Sequence, residues 1–295
     1  MAPHLIVIAG PTASGKTELS LSLAEHLGAE IFSADARQFY RGMDIGTAKP
    51  TQAEQSRVPH HFIDILEPNE EYSAGRYAED LQTALTTYFK QQSTAIVVGG
   101  SGFYIKAATE GLDALPRADE ALRAKWNAIY TAEGLDGLQE RLKQADPAYF
   151  EEVDIQNRQR VQRALEAIEI GGKPFSALRK GEQEALPWKT TFVVVEWDRE
   201  ALYDRINARV DQMMDAGLLN EAEALYPLRG HNALQTVGYK ELFDYIDGVY
   251  TLDEAVAKIK QHTRNYAKRQ MTWFRKQSVD IHLKEASFKS LLRQL

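Results

Sequence analysis

Leu5-Ile6-Val7-Ile8-Ala9 is a wholly apolar, β-branched run that stops at Gly10-Pro11, and it predicts a buried strand. From Gly15 a helical pattern begins, with leucines at 19, 23 and 27. Glu30-Ile31-Phe32-Ser33-Ala34 predicts a second strand with Asp35 at its C-terminal end, and Phe62-Ile63-Asp64-Ile65 a third, short one. Tyr77, Leu81, Leu85 and Tyr88 lay an apolar stripe along a helix over 74–91. Ala95-Ile96-Val97-Val98 predicts another apolar strand, closed by Gly99-Gly100. Strands that alternate with helices imply a parallel sheet with helices on both faces. The texture changes after Leu115-Pro116: from Asp119 to Gly171 the pattern is helical, and Gly171-Gly172-Lys173-Pro174 ends it. Thr191-Phe192-Val193-Val194-Val195 returns as a strand, and the chain from Arg199 onward reads as mostly helical. The predicted architecture is an α/β core over 1–116 and 188–295, interrupted by a helical insertion domain at 117–187.

Composition narrows this picture in three ways. The 295 residues, 44% apolar and 26% charged, suit one large domain or a core with a smaller insertion. No stretch approaches the roughly 18 apolar residues of a membrane span, and Met1–His4 runs straight into the first strand pattern, so neither a membrane partner nor a signal peptide is expected. The absence of cysteine excludes disulfides, thiolate zinc sites and cysteine catalysis, and it fits a reducing cytoplasm. The seven histidines show no metal-ligand spacing.

The net charge of −7 argues mildly against a nucleic-acid partner, so the placement of the basic residues decides. Lys258, Lys260, Arg264, Lys268, Arg269, Arg275 and Lys276 fall in one stretch without an acidic residue. Lys260, Arg264 and Lys268 repeat every four residues and form one stripe, while Tyr266, Trp273 and Phe274 suit the core. A solvated helix face normally mixes signs, so this stripe suits a phosphate backbone. In the insertion, Val161, Leu165 and Ile168 share a face, and Gln159, Arg160 and Arg163 fall off it.

The chemistry is concentrated at Gly10-Pro11-Thr12-Ala13-Ser14-Gly15-Lys16-Thr17, which matches G-x-x-x-x-G-K-[ST] between a strand and a helix. Glycines let such a loop curl its N–H groups toward phosphate oxygens, and the helix N-terminus adds partial positive charge. Lys16 supplies a full charge, and the Thr17 hydroxyl suits Mg²⁺. The loop specifies phosphate without specifying ATP. Asp35 ends a neighbouring strand and belongs in the same crevice, either as a general base or metal ligand, or as a cap of a following helix. Arg205 and Arg209 are four apart and as a pair could clamp diphosphate oxygens, Arg205 ahead of Arg209, with surface ion pairs to Asp204 and Asp211 as the alternative.

These blocks resemble the tRNA dimethylallyltransferase family. The resemblance runs through Gly10–Thr17, Ser33-Ala34-Asp35, Tyr40–Pro50, Pro59-His60-His61, Val98–Tyr104, Arg160–Glu166, Val237–Glu241 and Thr263–Trp273, in order and over nearly the whole chain. It implies transfer of a dimethylallyl group from its diphosphate to the N6 amine of the adenosine 3′ of the anticodon, position 37, in tRNAs that read codons beginning with U. It implies catalytic roles for Asp35, as the base, and for Lys16, Ser101 and Arg205, with the donor on Gly10–Thr17 and Mg²⁺ on Thr17. It also implies tRNA contacts at Asp35, Ala36, Arg37, Gln38, Ser101, Arg123, Gln159, Arg160, Val161, Gln162, Arg163, Arg264 and Lys268, with the anticodon arm as partner and a monomer as the working state. The chain departs from the family pattern at Ala36, usually Ser, and at Ser101, usually Thr, which keeps the hydroxyl. Asp154-Ile155-Gln156-Asn157 replaces the usual His-Pro-Asn-Asp. Some larger relatives carry a C-terminal zinc finger, and with no cysteine none is expected here. From the residues alone, three readings compete: an ATP-dependent small-molecule kinase, a prenyltransferase acting on free adenine nucleotides, and a non-catalytic tRNA-binding protein.

Overall fold

The computed structural model describes residues 2–112, 115–116, 119–179 and 186–295. The chain forms two compact units, Met1–Gly111 with Leu186–Leu295, and Leu112–Ala185. The first unit is built on six strands: β1 (His4–Ala9), β2 (Glu30–Ser33), β3 (His60–His61), β4 (Thr94–Gly99), β5 (Lys189–Glu196) and β6 (Ile281–Lys284). They lie in the order β3-β2-β4-β1-β5-β6, and every pairing is parallel. The predicted parallel α/β architecture is therefore present.

β1 sits at the centre because its side chains are apolar on both faces: Leu5 through Ala9 are at most 2% exposed. Ile6 and Ile8 pack with Ile31, Ile96, Val193 and Val195, and with Leu19 and Leu23 of the helix Lys16–Leu27. Burying such side chains contributes about 1.5–3 kcal/mol each. In the register, Ala9 lies opposite Gly99 of β4 and Val194 of β5, so the loops that follow these strands open at one edge. In a parallel sheet that edge is where ligands bind.

Two strand expectations are corrected. The third strand is His60–His61 and not Phe62–Ile65. Phe62 (φ 62°) and Asp64 (φ 52°) adopt left-handed backbone, which turns the chain off the sheet despite its apolar composition. β6 lies in the region read as mostly helical; it is only four residues long, with Ile281 and Leu283 pointing inward.

The second unit is helical. Its long helix Glu120–Ala145 is broken at Gly134 (φ 71°, ψ −166°), and the helix Arg158–Gly171 packs with it around Trp126, Leu138, Leu142, Val161 and Leu165. Asp119 and Asn157 cap the two helices through their side chains. The expected boundary at 117, like residues 180–185, lies outside the described residues.

Candidate active site

The phosphate loop joins β1 to the helix Lys16–Leu27 through three unusual backbone positions. Gly10 leaves the strand where a Cβ would come within 2.8 Å of the Val195 carbonyl oxygen. Ala13 holds φ 63° without being glycine, and Gly15 caps the helix at φ 87°. A left-handed alanine costs about 1–2 kcal/mol, and side chains from far along the chain hold it. Arg205 Nε donates to the Ala13 carbonyl (2.8 Å), and Trp197 Nε1 donates to the Ser14 carbonyl (2.9 Å). The Arg205 guanidinium also stacks over the Trp197 ring at 4.4 Å. The first-turn amides of the helix have no intrahelical acceptor, an arrangement that suits an anion.

Lys16 Nζ reaches the Pro11 carbonyl at 2.6 Å and Ser14 Oγ at 3.4 Å. Burial, with the Arg209 charge adding to it and Asp35 opposing it, lowers its pKa to about 7. Asp35 shows the complementary effect: burial pushes its pKa up, against the Arg37 amide and the charges of Lys16, Arg37 and Arg209. Its Oδ1 accepts from the Arg37 N–H at 2.9 Å, so the carboxylate also shapes the turn that follows β2. Arg209 is lowered by burial, with Asp35 its main counterweight. Of the arginine pair, Arg205 braces the loop from its carbonyl side, and Arg209 shares the electrostatic field of Lys16 and Asp35.

Ser101 sits at the N-cap of the helix Gly102–Thr109 but does not cap it; its Oγ accepts from the Ala36 N–H (3.2 Å). A Cβ on Gly99 would lie 2.3 Å from the Ala34 carbonyl oxygen, so the end of β4 can press directly on the segment carrying Asp35. Gln38 spends its amide internally: Oε1 accepts from Ser33 Oγ (3.1 Å), and Nε2 donates to the Thr47 and Ala48 carbonyls (3.3 and 3.2 Å). Arg37 donates to the Asn232 carbonyl. These groups border a cavity of about 760 Å³ that also takes in Thr12, Thr17 and Arg209. Part of its wall is apolar, from Ile206, Val210, Met213 and Leu218.

The 44–50 segment forms another wall. Lys49, its side chain only 3% exposed, donates to the Tyr40 carbonyl (2.8 Å), Asp44 (2.6 Å) and Asp64. Glu221 accepts from the amides of Asp44, Ile45 and Gly46 (2.8–3.0 Å) and from the Tyr239 hydroxyl (2.7 Å). A Cβ on Gly46 would meet the Tyr239 ring at 2.6 Å.

The other candidates are dispersed. Arg264 Nη1 donates to Asn207 Oδ1 (2.6 Å), and Lys260 pairs with Asp211 (2.6 Å), so two members of the basic stripe are tied to the helix Arg199–Asp215 while Lys268 is exposed. In the second unit Gln159 and Arg160 are exposed, and Val161 is in the core. There Gln162 is bonded to Asn127 and Glu166, and Arg163 donates to the Pro116 carbonyl at 2.6 Å. Arg123 is half-buried on the Glu120–Ala145 helix. Sequence reasoning missed Gln270, Trp197 and Glu221, which bond to residues far away in the chain, and the buried ion pairs of Lys49, whose partners are near in sequence. No cluster of three His, Asp or Glu suited to a metal occurs among the described residues, and no described helix is long and apolar enough to cross a membrane.

Fold and cavity together define a phosphate-loop-type α/β protein in which Lys16, Thr17 and the half-buried Asp35 line one cavity. The chain belongs to the IPP transferase family, whose model matches residues 38–277. It is similar to tRNA dimethylallyltransferase 1 of Phocaeicola vulgatus, 46% identical over 276 residues, which are 94% of this chain and 92% of that protein. Among solved structures it resembles the full-length tRNA isopentenylpyrophosphate transferase of Bacillus halodurans, with 37% identity, TM-score 0.72, and coverage of 99% of this chain and 93% of that one. It also resembles a eukaryotic dimethylallyltransferase acting on tRNA, with 28% identity, TM-score 0.83, and coverage of 98% and 75%.

Proposed function

We propose that the chain is a tRNA dimethylallyltransferase in which the phosphate loop seats dimethylallyl diphosphate and Asp35 is the general base. The observation that carries the residue roles is the shared field of Lys16, Asp35 and Arg209 beside the amide-lined loop. The allylic C–O bond of the donor breaks, and the electron pair leaves with the diphosphate. The loop amides, Lys16 and Arg209 stabilise that developing charge. The adenine N6 forms the new C–N bond and gives up a proton, for which Asp35, raised above the usual carboxylate range, is a suitable acceptor. The target adenosine, 3′ of the anticodon, leaves its stack to reach the cavity. The apolar wall of Ile206, Val210, Met213 and Leu218 suits the five-carbon group.

Thr17 borders the same cavity as Lys16 and Asp35, and its hydroxyl oxygen suits a hard cation. Thr17 would hold Mg²⁺, which supplies charge neutralisation on the diphosphate when bound. Lys268 and Arg264 on the basic helix, with Gln159 and Arg160 in the helical unit, are the proposed contacts to the anticodon arm. The absence of cysteine and the ordinary balance of apolar and charged residues support a cytoplasmic enzyme.

The test is incubation with labelled dimethylallyl diphosphate, Mg²⁺ and unmodified tRNA, beside a tube containing AMP and ATP. Label should enter tRNA, and Asp35→Ala should slow transfer by about 10²-fold or more. Label in AMP or ATP alone would assign the chain to nucleotide prenylation; no transfer by folded protein would overturn the reading.

A further inference from the structure

We propose that Gln270 is a positioning residue for prenyl transfer. It locks the phosphate loop to the end of β4 and thereby sets the distance between the leaving diphosphate and the accepting amine. The proposal rests on the donor seat proposed above.

Gln270 lies near the C-terminal end of the helix Leu252–Phe274 and is 7% exposed. A buried primary amide is costly unless both ends are bonded. Here Oε1 accepts from the Thr12 N–H (2.9 Å), in the loop after β1. Nε2 donates to the Gly100 carbonyl (2.8 Å), just after β4. One side chain thus staples two loops that leave neighbouring strands. Gly100 is shaped to it: a Cβ there would fall 2.5 Å from Gln270 Nε2 and 3.2 Å from the Gly10 carbonyl oxygen.

The neighbours on that helix face act on the same strand end. Four residues before Gln270, the Tyr266 hydroxyl meets Ser101. Three residues after it, the Trp273 ring lies flush on Gly102, where a Cβ would be 2.8 Å away. Ser101 accepts the Ala36 amide, next to Asp35. A continuous series of contacts therefore runs from Thr12 through Gln270, Gly100, Ser101 and Ala36 to Asp35. The donor half of the site and the base half are joined through one amide.

Glutamine suits this position because it offers an acceptor at one end and a donor at the other. A glutamate does so only when protonated, and a methionine never does. Transfer needs the reacting atoms about 3–3.5 Å apart, and a displacement near 1 Å costs about 10²-fold. Loss of the staple should therefore appear in kcat.

The test uses the full chain with dimethylallyl diphosphate and tRNA, and measures kcat and both KM values for Gln270→Met and Gln270→Glu from pH 6 to 8.5. Gln270→Met should lower kcat by about 30–100-fold at every pH, with KM for the donor within about threefold. Gln270→Glu should match that deficit at pH 8.5. Its activity relative to the unchanged protein should recover to within about threefold at pH 6, as the introduced buried carboxyl takes a proton and donates to Gly100 again. If Gln270→Met does not fold, the pH-dependent ratio of Gln270→Glu decides alone. A kcat for Gln270→Met within twofold of the unchanged protein, or a Gln270→Glu deficit that does not change with pH, overturns the proposal. Binding of inorganic diphosphate separates the two readings. If Lys16→Ala binds it as tightly as the unchanged chain, the donor seat itself is wrong. If Lys16→Ala loses it and Gln270→Met keeps both affinity and kcat, only the positioning role fails.

Discussion

The phosphate loop and the 44–50 segment border one cavity and are held by different kinds of side chain. In the phosphate loop distant side chains bind two carbonyls, Ala13 to Arg205 and Ser14 to Trp197, and one amide, Thr12 to Gln270. In the 44–50 segment the protein binds the amides: Glu221 takes those of Asp44, Ile45 and Gly46. The first arrangement leaves amide dipoles for an outside anion. The second already contains its anion, as a carboxylate of the chain itself. A run of consecutive amides already bonded to a carboxylate, as at 44–46, has no room for a second anion, whereas the first-turn amides after Gly15 have no intrahelical acceptor.

The strongest way to break this comparison is to remove the charge that completes the first loop. Lys16→Ala should lower kcat/KM for the donor by about 10³-fold while the urea unfolding midpoint stays unchanged, since Lys16 lies partly within its own loop. A loss of stability to match would make the loop structural. In the second segment the outcomes should invert. Glu221→Ala leaves three amides and a hydroxyl without their acceptor, and should cost about 2–4 kcal/mol of unfolding free energy by urea titration. An unchanged midpoint would show that the carboxylate does not hold the wall.

Acidity sharpens the contrast further. Lys16, lowered to about 7 mainly by burial, loses its charge as pH rises through that value, and the proposed donor seat weakens. Asp35, raised by burial, takes up its proton above the usual carboxylate range as pH falls. The profile of kcat/KM for the donor should be a bell with its alkaline limb near pH 7. In kcat that limb should move upward, because bound diphosphate holds the lysine charged. A kcat/KM that stays flat from pH 7 to 9 would contradict the buried lysine. The smallest effect concerns the basic helix. Lys268→Ala should reduce the slope of log affinity for tRNA against log salt by about one, measured by filter binding. Arg264→Ala should also loosen the link to Asn207.

Much of this was legible in the chain. The apolar run before Gly10, the Gly10–Thr17 pattern and the placement of Asp35 were readable because each is local: a strand, a turn and a helix start adjacent in sequence. Phe62–Ile65 misled because its composition suits a strand while its backbone twists out at Phe62 and Asp64. Lys49 looked like one more motif residue; its burial against Asp44 and Asp64 depends on how the chain folds back. Gln270 gave no signal, standing in a basic helical stretch 258 residues from the amide it binds. A glutamine there looks the same whether it faces water or a backbone amide. Arg205 and Arg209 show the limit of periodicity. Four-residue spacing put them on one stripe, but only the packed helix distinguishes the one that braces the loop from the one beside the carboxylate.

The braces of the phosphate loop also bear on the order in which the protein is made. The loop is synthesised well before its braces: Ser14, Ala13 and Thr12 wait for partners 183, 192 and 258 residues downstream. The central strand gains its β5 neighbour only after residue 189 has been synthesised. Contacts at such separations form late, because a long segment must be closed first. A nascent chain stopped before Gln270 would carry the whole Gly10–Thr17 motif and still lack the side chain that ties Thr12 to Gly100, so this part of the loop is fixed only when the helix Leu252–Phe274 docks.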